Sequence, residues 1–402
     1  MSRSEWFSLI ALVLALAAIV VAASAARRVG GARAARRDVA LSAAAADVGQ
    51  HRPQPEVTGE IVAFVANPTK PGARELHYAA IRACSARAMP EPLWFETTVQ
   101  DPGVGQARAA IARGAGVVVA VGGDGTVRAV AEALAGTDVP MGLIPQGTGN
   151  LLARNLDLPL TDTGAALRLA LAGTARTIDV GWLRVERDEG QLSDVAAEAA
   201  DDLPGAGGRP DGVDPDDVPA GATAPPRDHI FLVIAGLGFD AAMVADTDEN
   251  LKARVGWIAY FVAARRHLHG PRLRLRMQAD DAPATSLQLR SLLIGNCGRL
   301  PGGITLLPDA VLDDGWLDVG AIDTRGGLVG WAQLFGEVVL QGIGLRNELP
   351  GKIGRIDHQR VRRLRVSADR PQAVQVDGDV LGKALEITVR VDPGALRVRV
   401  AG

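Results

Sequence analysis

The chain opens on an unbroken apolar run, Trp6 to Ala26, without a charged residue. About 20 apolar residues suffice to cross the hydrocarbon core of a bilayer. Arg27, Arg28, Arg33, Arg36 and Arg37 follow at once, whereas the leading flank offers only Arg3, offset by Glu5. This asymmetry predicts a single-pass transmembrane helix over 6–26 in the cell membrane, with the N-terminus outside and the rest of the chain cytoplasmic. Ala23-Ser24-Ala25 resembles a signal-peptidase site, but the leading flank is barely basic and the charges follow the apolar run. Residues 27–58, rich in Ala, Arg and Gly, read as a juxtamembrane linker whose arginines favour an anionic membrane surface.

Beyond the linker, short apolar runs alternate with segments of helical spacing. Ile61–Ala66, Leu93–Thr97, Gly116–Val121 and Pro140–Pro145 read as strands. Between them, 73–88, 105–113 and 127–134 carry apolar residues three and four apart, and another helix starts at Leu151. Strands alternating with helices predict a Rossmann-like α/β domain with a parallel sheet over 59–177. From Thr177 the pattern becomes strand after strand: 178–185, 230–235, 273–277, 287–297, 315–322, 361–367, 372–376 and 385–391. Only 250–268 and 328–340 read as helices there. This predicts a mainly antiparallel, sandwich- or barrel-like β domain over 178–402, whose last strand returns to the first domain.

Charge refines the picture. The net charge is −3, yet residues 186–228 hold twelve acids against three bases, so the segment carries −9 and the remainder +6. That segment almost lacks large apolar residues and reads as a disordered acidic insert, a length a loop absorbs at little cost. Aromatic residues make up 4% of the chain, too few for a nucleic-acid stacking platform, and no nucleic-acid partner is expected. Two cysteines and six scattered histidines supply neither a disulfide framework nor a zinc site.

Two glycine-rich loops carry the chemistry. Gly122-Gly123-Asp124-Gly125-Thr126 follows one strand and opens a helix, and Gly147-Thr148-Gly149-Asn150 does the same after the next strand. Small residues let backbone amides approach an anion, and the helix N-terminus adds partial positive charge. Two such turns at successive strand ends form one crevice at the carboxyl edge of a sheet. Asp124 repels phosphate and suits a hydrated Mg²⁺ or a ribose hydroxyl better. No GxxxxGK[ST] run is present. Gly236-Leu237-Gly238-Phe239-Asp240-Ala241 matches a dinucleotide GxGxxA pattern, but outside any βαβ context.

Taken together, the GGDGT and GTGN runs, Asn67-Pro68, Gly236–Asp240, Pro308-Asp309-Ala310 with Asp313–Asp318, and Val376-Asp377-Gly378-Asp379 resemble the diacylglycerol kinase catalytic family. That family includes bacterial lipid kinases and sphingosine kinases and is related to the NAD kinase-like superfamily. The resemblance spans about 59–400 and leaves out the anchor and the insert. It implies ATP-dependent phosphorylation of a lipid hydroxyl, diacylglycerol foremost. ATP would bind through Asn67, Lys70, Thr97 or Thr98 (Thr98 being preferred), the loop Gly122, Gly123, Asp124, Gly125, Thr126, Val127 and Arg128, and Gly147, Thr148, Gly149 and Asn150. Asp379 stands where relatives carry a glutamate acting as proton acceptor. Asp377, two residues away, shares a face with it if the stretch is extended, and one of the pair would serve as base and the other as Mg²⁺ partner. A hairpin turn explains the same two aspartates without chemistry. A second Mg²⁺ is implied at Asp314 with the carbonyls of Val311 and Trp316. The membrane lipid substrate calls for an apolar groove in the second domain, and similar proteins suggest a homodimer. NAD kinase, a non-catalytic nucleotide or lipid sensor and a dinucleotide oxidoreductase are the competing readings.

Overall fold

The structure, a computed structural model, describes residues 59–188, 228–238, 272–299, 307–324 and 354–402. The expected transmembrane helix (6–26), the linker, most of the acidic insert and the two expected helices of the second domain lie outside these residues. Among the described residues no helix is long and apolar enough to cross a membrane.

The first lobe carries strands β1 (Val62–Ala66), β2 (Leu93–Glu96), β3 (Val117–Gly122) and β4 (Met141–Pro145). Its helices are α1 (Ala73–Ser85), α2 (Val104–Ala112), α3 (Asp124–Leu134), α4 (Leu151–Asn155) and α5 (Thr163–Ala172). All strand pairs here are parallel, in the order β4-β3-β1-β2. β1 and β3 are apolar at every position because both faces are covered. Ala63, Val65, Val118 and Ala120 pack with α2 and α3, whereas Val62, Phe64, Val117 and Val119 pack with α1 and α5. Phe64, fully buried, stacks on Trp94 with centroids 5.6 Å apart; its loss to alanine would cost about 3–5 kcal/mol. Helix α5, absent from the sequence reading, starts at Asp162, whose carboxylate accepts the Ala165 amide at 2.8 Å.

The second lobe comprises β5 (Thr174–Asp188), β6 (Asp228–Phe231), β7 (Ile234–Gly238), β8 (Leu273–Ala279), β9 (Thr285–Leu289) and β10 (Ser291–Gly295). It continues through β11 (Leu317–Thr324), β12 (Gly354–Val361), β13 (Arg363–Val376) and β14 (Asp379–Val400). Its pairings are antiparallel. β8 alternates buried and exposed residues, as a strand with one wet face must. Four expected strands differ. The run 230–235 is two strands broken at 232–233, 287–297 is split between β9 and β10, and 361–367 joins 372–376 in one long β13. Gly236 and Gly238 lie within β7, between antiparallel partners β10 and β13, so the dinucleotide pattern lacks its βαβ unit.

β14 pairs antiparallel with β13 and β5, then reaches β4 in parallel at Val398–Met141. One continuous sheet therefore joins both lobes, and the β13–β14 hairpin is aimed from the second lobe at the carboxyl edge of the first.

Candidate active site

The two glycine loops touch. A Cβ on Gly147 would lie 2.7 Å from Gly123 Cα, and one on Gly149 would lie 2.6 Å from Asp124 Oδ2. Only a hydrogen fits at either place. Asp124 fastens the contact: Oδ2 accepts the Asn150 amide at 2.9 Å, and Oδ1 accepts the Leu151 amide at 2.5 Å. Both oxygens thus cap the start of α4, so Asp124 acts as a strut between the two loops. Burial pushes its carboxyl above the ordinary range, and the two amides oppose that rise. Asn150, in the left-handed region at φ 48°, closes the second loop by exchanging hydrogen bonds with both peptide groups of Gly147 at 2.8 Å.

Val127 and Thr126 are buried; Thr126 packs against Gly122, where a Cβ would come within 2.6 Å of its Oγ1. Asn67 accepts from the amide and hydroxyl of Thr69, ordering the turn after β1. Lys70 borders a groove of about 530 Å³ between α1 and β2, where His77 and Trp94 stack at 4.2 Å. Thr98 is exposed, its hydroxyl accepting the Asp101 amide at 3.0 Å, while Thr97 is buried at the end of β2.

Asp377 and Gly378 form the two-residue β13–β14 turn, with φ values of 48° and 88° as in a type I′ hairpin. The backbone is therefore not extended, and the two aspartates diverge. Asp377 points inward, 8% exposed, and accepts the amides of Leu232, Val233 and Ile234 at 2.8–2.9 Å. These are the peptide groups left over by the break between β6 and β7. Burial pushes its carboxyl up to about 6 against the three amides that favour its charge. Asp379 points outward over α3, its Oδ2 lying 3.8 Å from where a Gly125 Cβ would stand, and it pairs with Arg128.

The 308–318 loop is held from below by Asp179, a buried residue that the sequence reading did not single out. Its carboxylate accepts the amides of Gly315 at 2.6 Å and Gly394 at 2.7 Å, and its own amide donates to the Leu312 carbonyl. Asp314 accepts from the Trp316 amide at 3.1 Å and pairs with Arg360, while Val311 is 45% exposed. Arg360 thus stands beside the carboxylate to which the resemblance assigned a second Mg²⁺. Among the described residues no cluster of three or more His, Cys, Asp or Glu side chains suits a metal.

A second link between lobes was also missed. Asn155, at the end of α4, exchanges hydrogen bonds with the backbone of Arg299: Nδ2 donates to its carbonyl at 2.9 Å and Oδ1 accepts its amide at 3.1 Å. Arg299 in turn pairs with Asp157 at 2.8 Å and donates to the Asn155 carbonyl.

Comparison with known proteins agrees with this geometry. Residues 62–183 match the family model of the diacylglycerol kinase catalytic domain. Residues 233–400 match that of the YegS C-terminal NAD kinase beta sandwich-like domain. A protein of Pseudomonas fluorescens named "Probable lipid kinase YegS-like" is 32% identical over 306 residues, 72% of this chain and 79% of its own. A Mycobacterium tuberculosis protein named "Diacylglycerol kinase" is 30% identical over 212 residues, 52% of this chain and 56% of its own. A solved Bacillus anthracis diacylglycerol kinase shares the fold, with a TM-score of 0.58 at 19% identity, covering 85% of this chain and 97% of that one. With its two touching glycine loops, its carboxylate-tipped hairpin and these relatives, the chain belongs to the diacylglycerol kinase catalytic family and is an ATP-dependent lipid kinase.

Proposed function

We propose that the acceptor is diacylglycerol and the product phosphatidic acid, with Asp379 as proton acceptor. The observation that carries the reading is the exposed Asp379 carboxylate standing over Gly125 in the first turn of α3. The N-terminal turn of α3, with the Thr148-Gly149 segment opposite, offers the helix N-terminus and small residues of the kind that receive a triphosphate. Asp379 takes the proton from the lipid hydroxyl as the oxygen attacks the γ-phosphorus, and the bond to the β-phosphate oxygen breaks to leave ADP. Asp377 does not share that role in this reading: its carboxylate is engaged by three amides and anchors the hairpin that presents Asp379. A Mg²⁺ ion would supply charge neutralisation on the phosphates, held by phosphate oxygens and water, since Asp124 and Asp377 are occupied by amides and Asp379 by Arg128. Residues 6–26 would anchor the kinase beside its substrate, and a homodimer is part of the same reading.

The test is transfer of label from γ-labelled ATP to diacylglycerol, sphingosine, phosphatidylinositol and NAD by the purified full chain with Mg²⁺. Diacylglycerol should be the best acceptor. Asp379→Ala should lower turnover by about 100-fold or more with ATP binding intact. Retained turnover rejects Asp379 as the acceptor, and preference for another lipid rejects diacylglycerol.

A further inference from the structure

Arg128 sits one helical turn after Gly125, so both lie on the same face of α3. Its guanidinium meets Asp379 Oδ2 across the interface between lobes. Two further observations bear on this pair. The Arg128 side chain is 20% exposed and that of Asp379 is 55% exposed, so the carboxylate is reachable from solvent while the cation is tucked beneath it. The Nε of Arg128 is buried and has no hydrogen-bond partner among the described residues. The guanidinium is therefore only partly satisfied by the carboxylate. It also lies within one turn of the amides that would receive the phosphates. A carboxylate and a triphosphate gathered at one helix turn repel one another unless a cation stands between them.

We propose that Arg128 is a positioning residue for Asp379 and a cation that the carboxylate passes on to the transferring phosphoryl group. This rests on the lipid kinase reading. Before the reaction Arg128 holds Asp379 over Gly125 and shields it from the γ-phosphate. During transfer the hydroxyl proton moves to Asp379, the oxygen–phosphorus bond forms and the bond to ADP breaks. Protonation cancels the charge that held the guanidinium, which turns to the oxygens of the phosphoryl group. Charge beside Asp379 is thus compensated at each stage without a further protein cation entering. The fork of arginine suits this exchange, because one edge can leave the carboxylate as another meets the phosphate.

The experiment measures diacylglycerol phosphorylation at saturating ATP and lipid, with direct binding of AMP-PNP, for the full chain and for Arg128→Gln, Arg128→Lys, Asp379→Asn and Arg128→Gln/Asp379→Asn. Arg128→Gln should lower kcat by at least about 10-fold while AMP-PNP binding changes by less than about 3-fold. Arg128→Lys should recover part of that loss. In the Asp379→Asn background, Arg128→Gln should cost several-fold less than in the wild-type background, since residues acting as a unit are not additive. A defect confined to AMP-PNP affinity and KM for ATP overturns the proposal, as does an equal loss in both backgrounds. Should Arg128→Gln fail to fold, Arg128→Lys takes its place in the cycle, where additive losses again overturn the proposal. A wild-type chain silent toward every lipid overturns the kinase reading itself. A wild-type chain that turns over no faster than Arg128→Gln overturns only the role of Arg128.

Discussion

The link between Asn155 and Arg299 separates two kinds of polar contact made by neighbouring residues. Asn155→Ala deletes the bonds from Nδ2 to the carbonyls of Leu151 and Arg299 and from the Arg299 amide to Oδ1. Asn155 is buried, 7% exposed, so little water is available to take over. At a net value near 1 kcal/mol per bond, the substitution should cost about 2–3 kcal/mol. The adjacent ion pair looks stronger on geometry, with two contacts of 2.8 and 3.0 Å between Arg299 and Asp157. Arg299 holds the Asp157 carboxyl below the usual carboxylate range. Yet the two side chains are 49% and 75% exposed, and an exposed pair contributes about 0–1 kcal/mol. Asp157→Ala should therefore cost at most about 1 kcal/mol, and raising salt from 0.05 to 0.5 M should erase about half of even that. Urea denaturation of both variants gives the comparison. Because α4 begins directly after Asn150, loosening its far end displaces the second glycine loop. kcat/KM for ATP should fall by about 10-fold or more in Asn155→Ala, since small misplacements at a reacting centre are costly. Equal losses in the two variants, or a loss below about 0.5 kcal/mol for Asn155→Ala, would refute the reasoning.

Other predictions follow from the same contacts. Gly147→Ala puts a methyl 2.7 Å from Gly123 Cα and 2.9 Å from Asn150 Oδ1. The loops must part at a cost of about 1–3 kcal/mol, so AMP-PNP affinity should fall about 10-fold, and unchanged affinity in a binding titration would count against the touching loops. Asp124→Asn sets an NH₂ against the amide of either Asn150 or Leu151, costing about 2 kcal/mol; thermal unfolding as stable as wild type would contradict the strut. For Asp377 the folded value of about 6 lies above the ordinary 3.8. The folded state therefore holds this proton more tightly, and the resulting stability is complete below about pH 4 and lost as pH rises through 6. The change amounts to about 3 kcal/mol. Asp377→Asn should remove this limb from the stability–pH curve between pH 4 and 6, and an identical curve would show that Asp377 is not its source.

Much of the nucleotide lobe was legible because its information is local. β1 and β3 are apolar at each position, and the Gly-rich turns follow their strands directly. α5 is legible too, in the spacing of Ala166, Leu167, Ala170 and Leu171 behind Asp162. What could not be read was non-local. The apolar run 230–235 gives no hint of its break at 232–233, because both halves are buried and the cause, the Asp377 carboxylate, is far along the chain. The Asp377-Gly378 pair was readable as a hairpin, and that reading, not the extended one, describes the turn. Arg128 and Asp379 were each visible as candidates, yet nothing in the spacing of residues so distant could pair them. Likewise the partner of Asp314, Arg360, comes from a strand edge that no motif marks.

β14 has a consequence for how the protein is made. Among the described residues, the free edge of β4 is completed only by the segment around Val398. A ribosome that has finished the whole nucleotide lobe has therefore released a sheet whose inner edge stays open until nearly all of the second lobe has emerged. Through that interval the nascent chain presents unpaired backbone beside the two glycine loops. Chaperone capture, or mispairing with another nascent chain, should concentrate there. Arrival of β14 then closes the edge and sets the Asp377–Asp379 hairpin over α3 in one event.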